Sequence, residues 1–225
     1  MREIQVLGID LTDYTVKEAM KRVEEFYKGG PVSAIGLITS SGILDAGNMP
    51  GIEEWMQSLD LAVLYDEDIL KAVGNTNPAR IREVREDQFL QEFFRRLVKH
   101  KRTVFLLSDN EAGLSKLTDI VLGYQERVRV VGTYALDELA TDDDFLINKI
   151  NITAADVVIS LLSSPRREAF FKDNHMKLQA SIWLMLKDGV KIGGAHVHIL
   201  DKINQFFSRR LLHLEVKKQQ NETSE

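Results

Sequence analysis

Short apolar runs alternate with amphipathic stretches along most of the chain, the pattern of strands alternating with helices packed on a sheet. The apolar runs predict strands near residues 4–7, 34–38, 61–64, 103–107, 128–131, 157–162 and 182–186. Between them the period is helical. Thr15-Val16-Lys17-Glu18 has the residues of a capping box, and Val16, Ala19, Met20, Val23 and Phe26 then recur at helical spacing until Gly29-Gly30-Pro31 ends the segment. Phe89, Phe93, Phe94, Leu97 and Val98 form a second stripe, and Leu114, Leu117, Ile120 and Val121 a third, each read as the core face of a helix. Most strand runs are continuously apolar rather than alternating, which predicts burial on both faces. The expected fold is therefore α/β: a Rossmann-like, doubly wound, mainly parallel sheet with helices on both faces. Such sheets bind ligands beyond the carboxyl ends of their strands, so the residues leaving each run are where chemistry is sought.

Composition narrows the picture. With 225 residues, 44% of them apolar, the chain can bury one substantial core, and we expect a single α/β domain over residues 1–200, a C-terminal helix over 201–216 and a polar tail over 217–225. The absence of cysteine excludes disulfide frameworks, thiolate catalysis and thiolate zinc sites together and agrees with a cytoplasmic setting. No apolar h-region follows the N-terminus, and no run approaches the roughly 18 apolar residues of a membrane span, so neither a signal peptide nor a spanning helix is expected. A net charge of -5 argues against a general nucleic-acid binder.

Three strand exits carry chemistry: Thr39-Ser40-Ser41-Gly42, Asp66-Glu67-Asp68, and Ser163-Ser164-Pro165-Arg166-Arg167-Glu168. Together they bring hydroxyls, carboxylates and guanidinium groups to one rim. The serine-rich exit opens a helix, whose N–H groups and dipole favour an anion, and two arginines there suit a diphosphate. Read alone, the same stretch is a helix start, with Ser164 as N-cap, Pro165 at the first position and Glu168 balancing the dipole. Asp66-Glu67-Asp68 has three readings. It is a D-x-D site for a divalent cation, an acidic first helical turn, or one desolvated carboxylate acting as general base on a sugar hydroxyl. Spacing does not choose among them.

Other candidates fall away. His196-x-His198 places two imidazoles on one strand face without a third ligand nearby, so they read as ordinary polar positions. Asp142-Asp143-Asp144 reads as a solvated helix start. No G-x-G-x-x-G or Walker-type loop occurs, which counts against dinucleotide cofactors and nucleoside-triphosphate hydrolysis.

The order of these pieces over about the first 190 residues resembles the WecG/TagA/CpsF family of bacterial glycosyltransferases. The resemblance runs from Val6-Leu7-Gly8-Ile9 and the capped helix at Thr15 through Leu37-Ile38-Thr39-Ser40-Ser41, where the family has a T-P-N exit. It continues with Leu61 to Asp66, where the family has an apolar strand ending in Asp-Gly, and with Arg82 and Asp87 for its R-x-x-G-x-D. Val104-Phe105-Leu106-Leu107-Ser108 matches its V-F-L-L-G strand, Val130 to Tyr134 a further exit, and Ser163 to Glu168 its G-x-P-x-Q-E turn.

The resemblance implies transfer of an N-acetylhexosamine, N-acetylmannosamine or a related sugar, from a UDP donor to a polyprenyl-diphosphate-linked acceptor in cell-surface polysaccharide synthesis, with no metal or other cofactor. It assigns Asp66 as general base with Thr39 beside it. It carries nucleotide-sugar binding to Pro165 and Glu168 and leaves Glu67 and Asp68 as a helix start; with the strand-exit reading, Ser41, Arg82, Asp87, Ser108, Ser164, Arg166 and Arg167 are expected to bind substrate as well.

The chain departs from the family pattern. Glu67 and Arg85 replace glycines, Ser41 an asparagine and Arg167 a glutamine, and the slot of the family's G-G-A-F-D loop falls near Lys187-Asp188-Gly189. Each lost glycine adds a side chain where backbone approaches ligand. These departures motivate the alternative of a degenerate relative that binds a nucleotide sugar or a partner protein without turnover. Where the family has a basic, aromatic C-terminal appendage, this chain has Phe206-Phe207-Ser208-Arg209-Arg210-Leu211-Leu212-His213-Leu214 and Lys217-Lys218, read as a last core helix, a homo-oligomer contact or a peripheral contact with the inner face of the membrane.

Overall fold

The computed structural model describes residues 1–48, 51–136, 142–187 and 190. The chain opens with an antiparallel hairpin, β1 (Arg2–Val6) and β2 (Ile9–Asp13). Leu7 and Gly8 form its two-residue turn with φ of 50° and 89°, the left-handed pair that matches the twist of a tight hairpin. Here the strand expected over 4–7 is corrected: it ends at Val6, pairs only with β2 and stands outside the main sheet. Leucine is a poor signal for a left-handed turn position, which is why the second strand was not legible.

Six parallel strands make the main sheet: β3 (Ser33–Ile38), β4 (Leu61–Leu64), β5 (Thr103–Ser108), β6 (Arg129–Ala135), β7 (Val157–Leu161) and β8 (Ile182–Met185), in the spatial order β4-β3-β8-β7-β5-β6. The Rossmann-like α/β expectation therefore holds. Helices α1 (Val16–Phe26), α2 (Ser40–Asn48), α3 (Ile52–Gln57), α4 (Glu67–Ala72), α5 (Pro78–Arg85), α6 (Gln88–Lys99), α7 (Glu111–Tyr124), α8 (Asp143–Ile152) and α9 (Arg166–Asn174) fill the connections. The capping box of α1 forms as read, with Thr15 Oγ1 accepting from Glu18 N and Glu18 accepting from Thr15 N. Asp142 caps α8 by accepting from Asp144 N at 3.0 Å, the helix-start reading of that acidic triplet.

Strand alternation divides the core. Ile35, Leu37, Val104, Leu106, Ile159 and Leu184 face α1, α6 and α7, whereas Ala34, Phe105, Leu107, Val158, Trp183 and Met185 face α8 and α9. Trp183 is wholly buried, and its indole N–H donates to Ser160 Oγ at 2.7 Å, which explains the one polar residue inside the β7 run. A third cluster joins the hairpin to α3, α4 and α5 through Ile4, Leu11, Met56, Leu70 and Val84. It is tied by a buried ion pair, Arg80 Nε to Asp13 Oδ1 at 2.8 Å. Among the described residues no helix is long and apolar enough to cross a membrane. The two histidines at 196 and 198 and everything expected over residues 201–225 lie outside the described residues.

Candidate functional site

The exits of β3 and β4 are built around the start of α2. A helix leaves its first N–H groups without intrahelical partners, and here two different side chains supply them. Thr39 Oγ1 accepts from Gly42 N at 3.1 Å, and Asp66 Oδ2 accepts from Ser40 N at 2.6 Å. Asp66 is the N-cap residue of α4, yet it makes no side-chain cap there. Its carboxylate reaches across to α2, half-buried, in the gap between the two strand exits. Thr39 Oγ1 also lies 3.1 Å from Ser41 Oγ, so Thr39, Ser41 and Asp66 share one helix terminus.

The other two acids of the triplet behave as a helix start. Lys71 Nζ donates to Glu67 at 2.8 Å and to Asp68 at 3.2 Å, and Arg85 Nε donates to Glu67 at 2.8 Å. Two residues standing in the family's glycine positions, Glu67 and Arg85, are thus bonded to each other. Lys71 and Arg85 hold the Glu67 carboxyl below the usual carboxylate range. Asp66 and Asp68 engage different partners, and among the described residues no group of three or more histidines and acids is arranged to hold a metal.

A cavity of about 330 Å³ lies over the carboxyl edge between β3, β8 and β7. Ser41, Gly42 and Asp45 of α2 line one side, Ser163, Ser164 and Arg167 the other, with Lys187 following β8 and Trp55 of α3 across from it. Arg167 is 4% exposed; its Nη2 donates to Glu168 and its guanidinium stacks 4.7 Å from the centre of the Trp55 ring. Lys187 is half-buried, and burial first, then the Arg167 charge, push its pKa below the ordinary lysine value. Asp45, Glu168 and Asp66 pull it partly back.

The β7 exit differs in detail from the sequence expectation. The cap of α9 is Pro165, one residue later than Ser164, and Pro165 makes no side-chain cap; the Ser164–Pro165 peptide is cis. Ser163 and Ser164 are exposed, and Ser163 N donates to Asp109 Oδ2 at 2.6 Å. Arg166 is half-buried, while Arg167 and Glu168 are buried against each other.

Of the expected residues, Ser41, Ser164 and Arg167 line this cavity; Thr39, Asp66, Pro165, Arg166 and Glu168 adjoin its walls without lining it, and the rest stand apart from it. Arg82 projects into solvent on α5 and donates to Glu86 at 2.8 Å. Asp87, at φ 52°, starts α6 and is buried in a small recess shared with Tyr65 and Arg80. Ser108 is buried and donates to Leu161 O at 3.1 Å, a tie between β5 and β7. Sequence reasoning missed Asp45, Trp55 and Lys187. Asp45 stands four residues after Ser41, on the same helical face, and Lys187 ends an apolar strand run much as Asp66 does, so both had a legible signal. Trp55 had none.

An open parallel sheet with acid, hydroxyl and cation groups meeting beyond its carboxyl edge defines a Rossmann-like α/β protein, with its candidate site where such sheets bind ligands. The profile described as Glycosyl transferase WecG/TagA/CpsF family matches residues 4–192, and the chain belongs to that family of transferases. No curated protein gives a significant match.

Proposed function

We propose that the protein transfers an N-acetylhexosamine, N-acetylmannosamine-like, from a UDP-sugar to a polyprenyl-diphosphate-linked acceptor, without a metal. Asp66 takes the proton of the acceptor hydroxyl as that oxygen bonds to the sugar's anomeric carbon. The bond from that carbon to the β-phosphate oxygen breaks, and UDP leaves from the opposite face with its charge met at the rim by Arg166, Arg167 and the exposed Ser163 and Ser164. Direct displacement inverts the anomeric centre.

One observation carries this reading: the Asp66 carboxylate is turned off its own helix and fixed by Ser40 N at 2.6 Å, beside the hydroxyls of Thr39 and Ser41. One carboxylate oxygen is anchored, and in this reading the other takes the substrate proton. The reading is supported further by the family to which the chain belongs.

The test is transfer of N-acetylmannosamine from its UDP donor to a short-chain lipid diphosphate bearing one sugar, followed by UDP release and by mass of the lipid product. Turnover with an inverted linkage is expected. Absence of binding by UDP and by UDP-N-acetylhexosamines at millimolar concentration overturns it.

A further inference from the structure

We propose that Lys187, Arg167 and Trp55 form an anion subsite against the first turn of α2, which takes a phosphoryl group of the ligand. The sequence pattern points to an anion at the start of α9; the structure turns Arg167 instead toward the cavity beside α2. Four features converge there. Arg167 is buried, oriented on one side by Glu168 and on its face by Trp55, while its Nε has no hydrogen-bond partner. The indole N–H of Trp55 is likewise buried and without a partner. Lys187 Nζ stands so close to Gly42 that a Cβ added there would lie 2.7 Å from it, which puts the ammonium at the first turn of α2. That turn is the positive end of the helix dipole.

Glu168 pairs with Arg167 and Asp66 with Ser40 N, and Asp45 is the single carboxylate among the described residues that line the cavity. The free Nε–H and indole N–H are donors only. A cavity in which a half-buried ammonium stands beside two unpaired N–H donors suits an anion with several acceptor oxygens, which a phosphoryl group has. Burial first, and then Arg167, lower the Lys187 pKa, and Asp45, Glu168 and Asp66 partly offset this.

The identity of the ligand rests on the sugar-transfer reading; the existence of the subsite does not. A phosphoryl group reaches the site from the UDP-sugar donor or from the lipid diphosphate. Calorimetry on the full chain with inorganic pyrophosphate, UDP, uridine and farnesyl diphosphate separates these sources. Pyrophosphate binding, UDP binding much tighter than uridine, a loss of at least tenfold in both with Lys187→Met and recovery with Lys187→Arg are expected. Trp55→Phe, which keeps the ring and removes the N–H, should weaken them by a few fold.

If Lys187→Met weakens only farnesyl diphosphate, the subsite holds the acceptor's phosphate. If Lys187→Met, folded by circular dichroism, binds all four probes as the parent does, the subsite is refuted while the transferase reading stands. Tight, Lys187-dependent pyrophosphate binding in a chain that transfers no sugar refutes the transferase reading and leaves the subsite.

Discussion

Replacing Asp66 with asparagine separates its two tasks. The carboxylate caps α2 through Ser40 N, and an asparagine of the same shape still offers an oxygen to that N–H. What is lost structurally is the charge: a hydrogen bond to a charged group contributes about 1.5–3 kcal/mol against about 1 for a neutral one, and an acid at a helix N-terminus is worth about 0.3–1 kcal/mol. The two figures overlap, so about 1 kcal/mol is expected for the change, a fall of roughly 2–4 °C in Tm for a chain of this size. With global stability of about 5–15 kcal/mol the variant stays folded. Catalytically the amide cannot accept the proton, and a missing general base costs about 10²–10⁴ in rate, or roughly 3–5 kcal/mol of barrier. Single-turnover transfer at saturating UDP-sugar, with Tm read on the same sample, should show kcat falling by at least about 100-fold while donor affinity is kept. A variant that keeps kcat within about threefold refutes the assignment, since no general base is that dispensable; one that loses donor affinity at unchanged kcat makes Asp66 a binding group instead.

Gly42→Ala should fill the gap beside Lys187 Nζ, where an added Cβ meets the ammonium at 2.7 Å and Thr39 Oγ1 at 3.2 Å. Helix propensity favours alanine by about 1 kcal/mol and the lysine tip moves cheaply, so Tm should hold or rise while pyrophosphate affinity falls about tenfold, about 1.4 kcal/mol. Because the Lys187 pKa lies below the ordinary lysine value, its charge and the affinity for pyrophosphate should fade as pH rises toward 10, earlier than in Lys187→Arg, a shift that calorimetry across pH would show. The same sign makes the buried ammonium a cost to the free fold below its folded pKa, relieved as pH rises through it, so Lys187→Met should raise the Tm of the unliganded chain at neutral pH. Arg80→Met removes the ion-pair partner of the buried Asp13 carboxylate, leaving it the Asn75 amide, and should cost about 3 kcal/mol in urea unfolding. Glu67→Gly breaks the surface ion pairs with Lys71 and Arg85 at the start of α4; such exposed pairs contribute little to stability, so Tm should fall only slightly.

The layers of this fold were legible because parallel strands buried on both faces read as unbroken apolar runs; the run at 61–64 coincides with β4, and that at 103–107 misses only the last residue of β5. The hairpin was not, since Leu7-Gly8 lacks the asparagine or aspartate that marks a two-residue turn, and Ile9 to Asp13 mixes acids with apolar residues. In the site, polar residues after apolar runs pointed to Thr39, Ser41, Asp66 and Arg167, which meet around α2 and the cavity beside it. What strand exits cannot encode is direction: Asp66 caps the neighbouring helix rather than its own, and Arg167 folds back on Glu168 and Trp55 instead of facing solvent. Both orientations come from contacts between segments distant in sequence. Trp55, on a connecting helix, enters the site only through that packing.

The departures from the family pattern are not independent of one another. Glu67 and Arg85, in two glycine positions 18 residues apart, meet at 2.8 Å, with Lys71 completing the group. Glycine at such positions lets backbone approach a ligand, so a side chain there blocks a ligand only when it projects into the site. These two satisfy each other on the outer faces of α4 and α5, where Arg85 and Lys71 are exposed, and neither lines the cavity between β3, β8 and β7. Arg167, the departure that does line the cavity, leaves it open and adds a cation beside Lys187. A half-buried lysine whose pKa is lowered first by burial costs the unliganded fold stability. A bound anion would offset the cost of the half-buried lysine further, which agrees with a site that binds a ligand.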